Sequence, residues 1–205
     1  GYPYAWCISP WLVGENPTPG GPVDQRVLAV ELAEFVLALQ RIDTMGAPPP
    51  SPDKRGAPLV NSDRSTRHCA ELLRDDTDVD ALLAIWQAGV EAPAWHRAPV
   101  WVHRDLADGN LLTRDGHLSG VIDWGGLSAA DPAVEIMCAW NLFDAGTREL
   151  YLDALGWVDP ATRIRGRAWA VSTAVHALPY YRDTNPDIVR RSWRAVEAAL
   201  AEWDG

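Results

Sequence analysis

His103-Arg104-Asp105-Leu106-Ala107-Asp108-Gly109-Asn110, followed by Val121-Ile122-Asp123-Trp124-Gly125, is the stretch whose spacing decides the fold. Just before it, Pro99-Val100-Trp101-Val102 reads as a short strand that delivers His103 to Asp105 into a loop. Leu111-Leu112-Thr113 and Leu118-Ser119-Gly120-Val121-Ile122 flank Asp115-Gly116, a strong dipeptide for a two-residue hairpin turn. The hairpin turns the chain back, so Asp123 should emerge beside the same loop. Asn110 and Asp123 can then offer oxygens to one Mg²⁺-type ion, a hard cation that prefers oxygen ligands. Asp105 sits across from that ion, where it can orient an attacking hydroxyl and accept its proton. Taken singly, these residues read as a core histidine, two turn or cap aspartates and a loop asparagine. Taken together, they place a base, an amide and a carboxylate where a hydroxyl and a metal-bound anion could be held in register.

Outward from this stretch the chain is mostly helical. Val27, Leu28, Leu32, Phe35, Val36, Leu39 and Ile42 recur at helical spacing and predict an amphipathic helix over 23–43. Residues 44–64, rich in proline between Pro48 and Pro58, predict a loop. Helices follow at 65–75 and 78–90, with Ser65 and Thr77 as candidate N-caps. Beyond Pro132 the pattern predicts helices at 132–143, 147–155, 160–178 and 186–203, the last opened by Asn185-Pro186. Residues 4–13 read as an extended segment interrupted by Pro10. The fold class is therefore α+β: a helical body carrying one small β element.

Composition narrows the function. The 205 residues, 47% of them hydrophobic, suffice for one domain or a closely joined pair with a true core. Eighteen basic and 28 acidic residues leave a formal charge of −10, which argues against nucleic acid or an anionic membrane as partner. That charge suits a cationic partner, or solubility alone. No window approaches 18 apolar residues, and the start lacks the features of a secretory signal. Cys7, Cys69 and Cys138 are dispersed and odd in number, and they are expected to be reduced, mostly buried thiols of a cytoplasmic protein. Lys54 is the only lysine, and it lies in the proline-rich loop. Trp86, Trp140, Trp169 and Trp193 fall in apolar helical patterns and are expected in the core.

His103 to Asn110 matches the kinase catalytic-loop pattern H-R-D-L-x-x-x-N, and Asp123-Trp124-Gly125 stands where kinases carry Asp-Phe-Gly. With Asp131-Pro132-Ala133 and the opening Trp11-Leu12-Val13-Gly14-Glu15, the chain resembles the aminoglycoside phosphotransferase family, the small-molecule branch of the protein-kinase-like superfamily. The resemblance implies a kinase-like C-terminal lobe over 16–205 and, in 1–15, the hinge from an N-terminal lobe. No Gly-rich loop and no strand lysine precede that hinge, so the chain is expected to be the C-terminal lobe of a longer protein and a poor enzyme alone.

Carried over to these positions, the family's pattern makes Asp105 the catalytic base and has His103 brace the loop. Asn110 and Asp123 would bind Mg²⁺. Backbone groups of Pro10, Trp11 and Leu12 would meet the adenine of ATP or the base of GTP. Arg104 stands where the family usually has glycine, and a salt bridge from it to Glu135 is expected. Asp131 is expected to cap the next helix. The acceptor pocket would draw on Trp140, Asn141 and Asp144, and on Tyr180, Tyr181, Asp183 and Asp187. The tyrosines would stack on a flat ligand face and the carboxylates would attract ammonium groups; as core, solvated or capping residues they need no such role. The expected activity is transfer of the γ-phosphoryl group of ATP or GTP to a hydroxyl of a small, possibly aminoglycoside-like, molecule. A non-catalytic binding module of the same fold is the alternative. The acceptor and the oligomeric state stay open.

Overall fold

The computed structural model describes residues 3–4, 6, 10–18 and 21–203. The expected extended segment 4–13 falls partly outside them, and Cys7 wholly so. Its described residues, Tyr4, Trp6 and Pro10 to Val13, are exposed and form no strand.

The helices appear where the periodicity places them. α1 spans Gln25–Gln40, α2 Asp63–Glu71, α3 Val79–Glu91, α4 Cys138–Leu142, α5 Ala145–Leu155, α6 Pro160–Tyr181 and α7 Pro186–Ala201. Asn185 caps α7 as expected, its Oδ1 accepting from Ile188 N–H at 3.1 Å. Two of the expected caps shift. α3 is capped by Asp78 rather than Thr77, because the Asp78 carboxylate accepts from Ala81 N–H at 3.0 Å. Ser65 lies inside α2, its hydroxyl donating to the Ser62 carbonyl. The single helix expected over 132–143 divides into a 3₁₀ turn, Pro132–Met137, and the short α4. α6 runs past its expected end through Pro179. A proline in the last turn removes only one backbone donor, and the buried Leu178 keeps that turn packed.

The central helix α6 packs between α3 and α7, with α2 and the 3₁₀ turn against its flanks; α1 lies on α5. Trp86 and Trp169 meet edge to face at 6.3 Å between ring centroids, and both are buried. Trp140 is buried as well, whereas Trp193 is only half-buried. The α3–α6 crossing is close enough to require glycine. A Cβ on Gly89 would lie 2.2 Å from the Ala168 Cβ, well inside van der Waals contact. Gly89→Ala should therefore destabilise the fold by about 1–2 kcal/mol, the overpacking strain exceeding the gain in helix propensity. Adding Ala168→Gly should relieve that strain. Urea melts of the three variants check this, and a Gly89→Ala protein as stable as wild type would contradict the close approach.

The β structure consists of two antiparallel pairs. β2 (Leu111–Arg114) and β3 (His117–Val121) form the expected hairpin. Asp115 and Gly116 take φ of 54° and 85°, as a two-residue turn with both central residues left-handed requires. β1 (Val100–Val102) pairs with β4 (Ser128–Ala130), a strand with no β signal of its own. This second pair closes the chain on itself: everything from His103 to Leu127 is a loop anchored at both ends by paired strands. No helix among the described residues is long and apolar enough to cross a membrane.

Candidate active site

The loop leaving β1 is held from beneath. His103 is fully buried, and its backbone N–H donates to Glu135 Oε2 at 2.7 Å. Its ring Nε2 lies 2.9 Å from the Ile122 carbonyl, and its Nδ1 accepts from Asp105 N–H at 3.3 Å. One tautomer satisfies both contacts, with the proton on Nε2. Burial lowers the imidazole pKa, which keeps that neutral form. The ring also stands edge-on to Trp124 at 4.9 Å. His103 thus ties the start of the loop to the Ile122–Trp124 segment that carries Asp123.

Arg104 does not form the expected salt bridge to Glu135. Only its backbone N–H reaches that carboxylate, at 3.4 Å. The left-handed backbone at Arg104, φ 71°, accompanies a side chain directed to other acceptors. Its Nε donates to the Gly126 carbonyl, and its Nη1 to the Arg55 carbonyl at 2.8 Å. Glu135 is therefore a buried acceptor for two backbone donors, and burial pushes its carboxyl up to about 8.

Asp105, Asn110 and Asp123 come together as the spacing foretold. Asn110 Nδ2 donates to the Asp105 carbonyl at 2.8 Å and lies 3.3 Å from Asp105 Oδ2. Ile122 N–H donates to the Asn110 carbonyl at 2.9 Å, which sets Asp123 beside Asn110 across the strand pair. Asp123 itself is exposed and left-handed, φ 62°, an uncommon backbone for aspartate. No cluster of three or more His, Cys, Asp or Glu suited to a metal occurs among the described residues. The donor set here is one carboxylate and one amide oxygen. That suits Mg²⁺, which keeps several waters and completes its shell with substrate phosphates.

All three residues line an open cleft of about 1040 Å³. Asn16 forms part of its rim, donating to the Gly109 and Leu111 carbonyls at 3.2 and 2.8 Å. Glu15 pairs with Thr113 on the edge of β2, so the segment before α1 is stitched to the hairpin. Pro10, Trp11 and Leu12 are exposed, Trp11 to 92%. The wall opposite the loop is α7 with its N-cap, which contributes Asn185, Asp187, Arg191, Trp193, Arg194 and Glu197. Asp108, in the loop, bridges to α7 by accepting from Arg191 and Arg194.

The residues expected at the acceptor pocket are dispersed. Tyr180 and Tyr181 stack edge to face on each other at the end of α6, and Asp183 is exposed; none lines this cleft. Asp144 caps α5, and the Thr147 backbone N–H that it accepts holds its carboxyl below the usual range. With Trp140, Asn141 and Arg148 it borders a separate cavity of about 520 Å³, which shares Arg194 and Glu197 with the main cleft. Asp187 does line the cleft. Arg191, Arg194 and Asp108 had no sequence signal, since their meeting joins a loop and a helix 83 residues apart. Asp131 caps the 3₁₀ turn as expected, accepting from Ala133 N–H at 2.9 Å, and also pairs with Arg165.

A strand-anchored loop, a hairpin-borne aspartate and a helical second wall define a phosphotransferase-like architecture. The chain belongs to the phosphotransferase enzyme family APH, whose model matches residues 1–169. No curated protein sequence matches it. Among solved structures it is similar to a macrolide 2'-phosphotransferase type I (TM-score 0.59, 20% identity), covering 95% of this chain and 67% of that one. It is also similar to a streptomycin–ATP–APH(2'')-IIa ternary complex (TM-score 0.55, 16% identity, 93% and 69% covered). A third is the GDP complex of an aminoglycoside 2'-phosphotransferase-IIIa (TM-score 0.56, 21% identity, 86% and 62% covered).

Proposed function

We propose that this chain carries the catalytic lobe of an enzyme that transfers the γ-phosphoryl group of ATP or GTP to a hydroxyl of a small molecule. The observation that carries the reading is the convergence of Asp105, Asn110 and Asp123 on one cleft, with Asn110 bonded to the Asp105 carbonyl and Ile122, next to Asp123, bonded to the Asn110 carbonyl. Asp105 accepts the proton of the acceptor hydroxyl as its oxygen attacks the γ-phosphorus. The bond from that phosphorus to the β–γ bridging oxygen breaks, and the nucleoside diphosphate leaves. Asn110 and Asp123 would hold Mg²⁺, which when bound supplies charge neutralisation at the phosphates. His103 and Glu135 keep the loop in register. Pro10, Trp11 and Leu12 would present the nucleotide base with backbone. The acceptor lies between the loop and α7, where Asp187 and Glu197 favour a hydroxylated amine. Macrolides and aminoglycosides, named in the structurally similar proteins, are the first classes to test.

The experiment is transfer of labelled γ-phosphate from ATP and from GTP to a panel of hydroxylated amines, aminoglycosides and macrolides. Acceptor-dependent transfer is the expected result; nucleotide binding with no transfer to any acceptor would favour the non-catalytic module. Asp123→Asn should raise the Mg²⁺ concentration needed for half-maximal transfer by about tenfold or more, because it removes the only charged ligand of the pair. An unchanged Mg²⁺ requirement would remove Asp123 from the metal site.

A further inference from the structure

We propose that Arg55 is a positioning residue for phosphoryl transfer: it grips one oxygen of Asp105 and so presents the other to the acceptor hydroxyl. The role rests on the phosphotransferase reading above. Arg55 belongs to the proline-rich loop before α2, 50 residues upstream of Asp105, and its Nη1 donates to Asp105 Oδ1 at 2.7 Å. Both side chains are roughly one-third exposed, so the pair borders the cleft rather than lying in the core.

A surface ion pair of this kind adds little to stability and is easily lost to side-chain motion. Here the backbone beneath it is fixed. The Arg55 carbonyl accepts from Arg104 Nη1, the same guanidinium that holds the Gly126 carbonyl. The next residue, Gly56, is buried with φ 89°, and a Cβ there would lie 3.1 Å from Arg104 Cδ and 3.2 Å from Ala130 Cβ. Only glycine accepts that backbone at that distance without strain. Upstream, the Pro48 carbonyl accepts from Ala129 N–H at 3.0 Å. The loop is therefore bonded to β4 upstream of Arg55 and closely packed on Arg104 and Ala130 just after it, and Arg104 is the clamp that joins it to the catalytic loop.

The consequence falls on the two oxygens of Asp105. Oδ1 is occupied by the guanidinium. Among the described residues, Oδ2 has only the longer contact with Asn110 Nδ2, whose shorter bond goes to the Asp105 carbonyl. Oδ2 is thus the oxygen that takes the proton from the acceptor hydroxyl while the new oxygen–phosphorus bond forms and the bridging bond to the leaving diphosphate breaks. Arg55 keeps its own protons throughout, since a guanidinium does not deprotonate in proteins. Its fixed fork, which a lysine ammonium lacks, is what orients the carboxylate.

The test compares wild type, Arg55→Gln, Arg55→Lys and Arg55→Ala in the transfer assay, with thermal melts alongside. Arg55→Gln and Arg55→Ala should lose about 10- to 100-fold in kcat with nucleotide KM changed less than threefold, the size of effect expected when a catalytic group is misplaced. Arg55→Lys should fall between. Guanidinium ion, added below denaturing concentration, should restore part of the Arg55→Ala rate and none of an Asp105→Asn rate. An active wild type with unimpaired Arg55→Gln and Arg55→Ala overturns the role of Arg55 alone. So does a loss that guanidinium fails to restore and that tracks a lowered melting temperature. A wild type that transfers phosphate to no acceptor overturns the phosphotransferase reading and this role with it.

Discussion

Asp105→Asn should abolish acceptor-dependent phosphoryl transfer, lowering kcat by about 100- to 10,000-fold, the range that a positioned general base contributes. The substitution keeps the shape of the side chain. Arg55 can still donate to an amide oxygen at the Oδ1 position, and the Asn110 bond to the residue 105 carbonyl is untouched. What is lost is Oδ2 as an acceptor, both of the hydroxyl proton and of the longer Asn110 Nδ2 contact. Nucleotide KM should stay near wild type, because Asn110, Asp123 and the hinge are unaltered. The melting temperature should move little, since the only ion pair removed is one-third exposed. Rates over the acceptor panel, with melts of both proteins, check each part. A kcat within tenfold of wild type would show that Asp105 is not the base.

Glu135→Gln should reverse a pH-dependent weakness in the fold. Glu135 is wholly buried beneath the catalytic loop, its Oε2 accepting from His103 N–H and its Oε1 without a partner. Burial is the main reason its carboxyl is pushed up to about 8, against an ordinary value of 4.5; the backbone donors of Arg104 and His103 only partly offset it. Below about pH 4.5 the group is protonated in folded and unfolded chains alike and contributes no pH dependence. Between about 4.5 and 8 the folded protein retains a proton that the unfolded chain has released, so stability falls as pH rises. Above 8 the full cost remains, on the order of 5 kcal/mol. Glutamine preserves the acceptor oxygen and never ionises. The variant should therefore gain on wild type by several kcal/mol between pH 5 and pH 8.5, read from denaturant midpoints at both pH values. Parallel stability curves for the two proteins would show that Glu135 does not titrate in this way. Glu135→Ala, by contrast, strands the His103 donor and should weaken both fold and activity.

Buried Glu135 and half-exposed Arg55 also mark the limit of what could be read from the chain alone. Glu135 is a neighbour of Arg104 but not the ion-pair partner expected from the sequence. The Arg104 backbone is left-handed, and its guanidinium leaves the carboxylate for two carbonyl oxygens on other segments. Arg55 had no signal at all in a stretch legible only as loop. β4 was equally silent: Ser128-Ala129-Ala130 has neither alternation nor β-branched residues, and it is a strand because β1 offers it an edge. The cap of α3 moved by one residue, from Thr77 to Asp78, because both types can cap and only the entry angle of the helix decides between them.

Elements whose hydrogen bonds are local were legible along the chain. Apolar spacing of three and four residues marked the helices, and Asp115-Gly116 marked the hairpin turn. The intervals from Asp105 to Asn110 and from Asn110 to Asp123 then brought three side chains to one place, because a hairpin of known length returns the chain by a known distance. Tertiary structure decided what joins segments far apart: Asp108 to Arg191 and Arg194, Arg55 to Asp105, Arg104 to Gly126, and α7 as the second wall of the cleft. A long charged side chain reaches several partners at similar cost in free energy. Which one it meets depends on how whole helices and loops pack, and no interval along the chain encodes that.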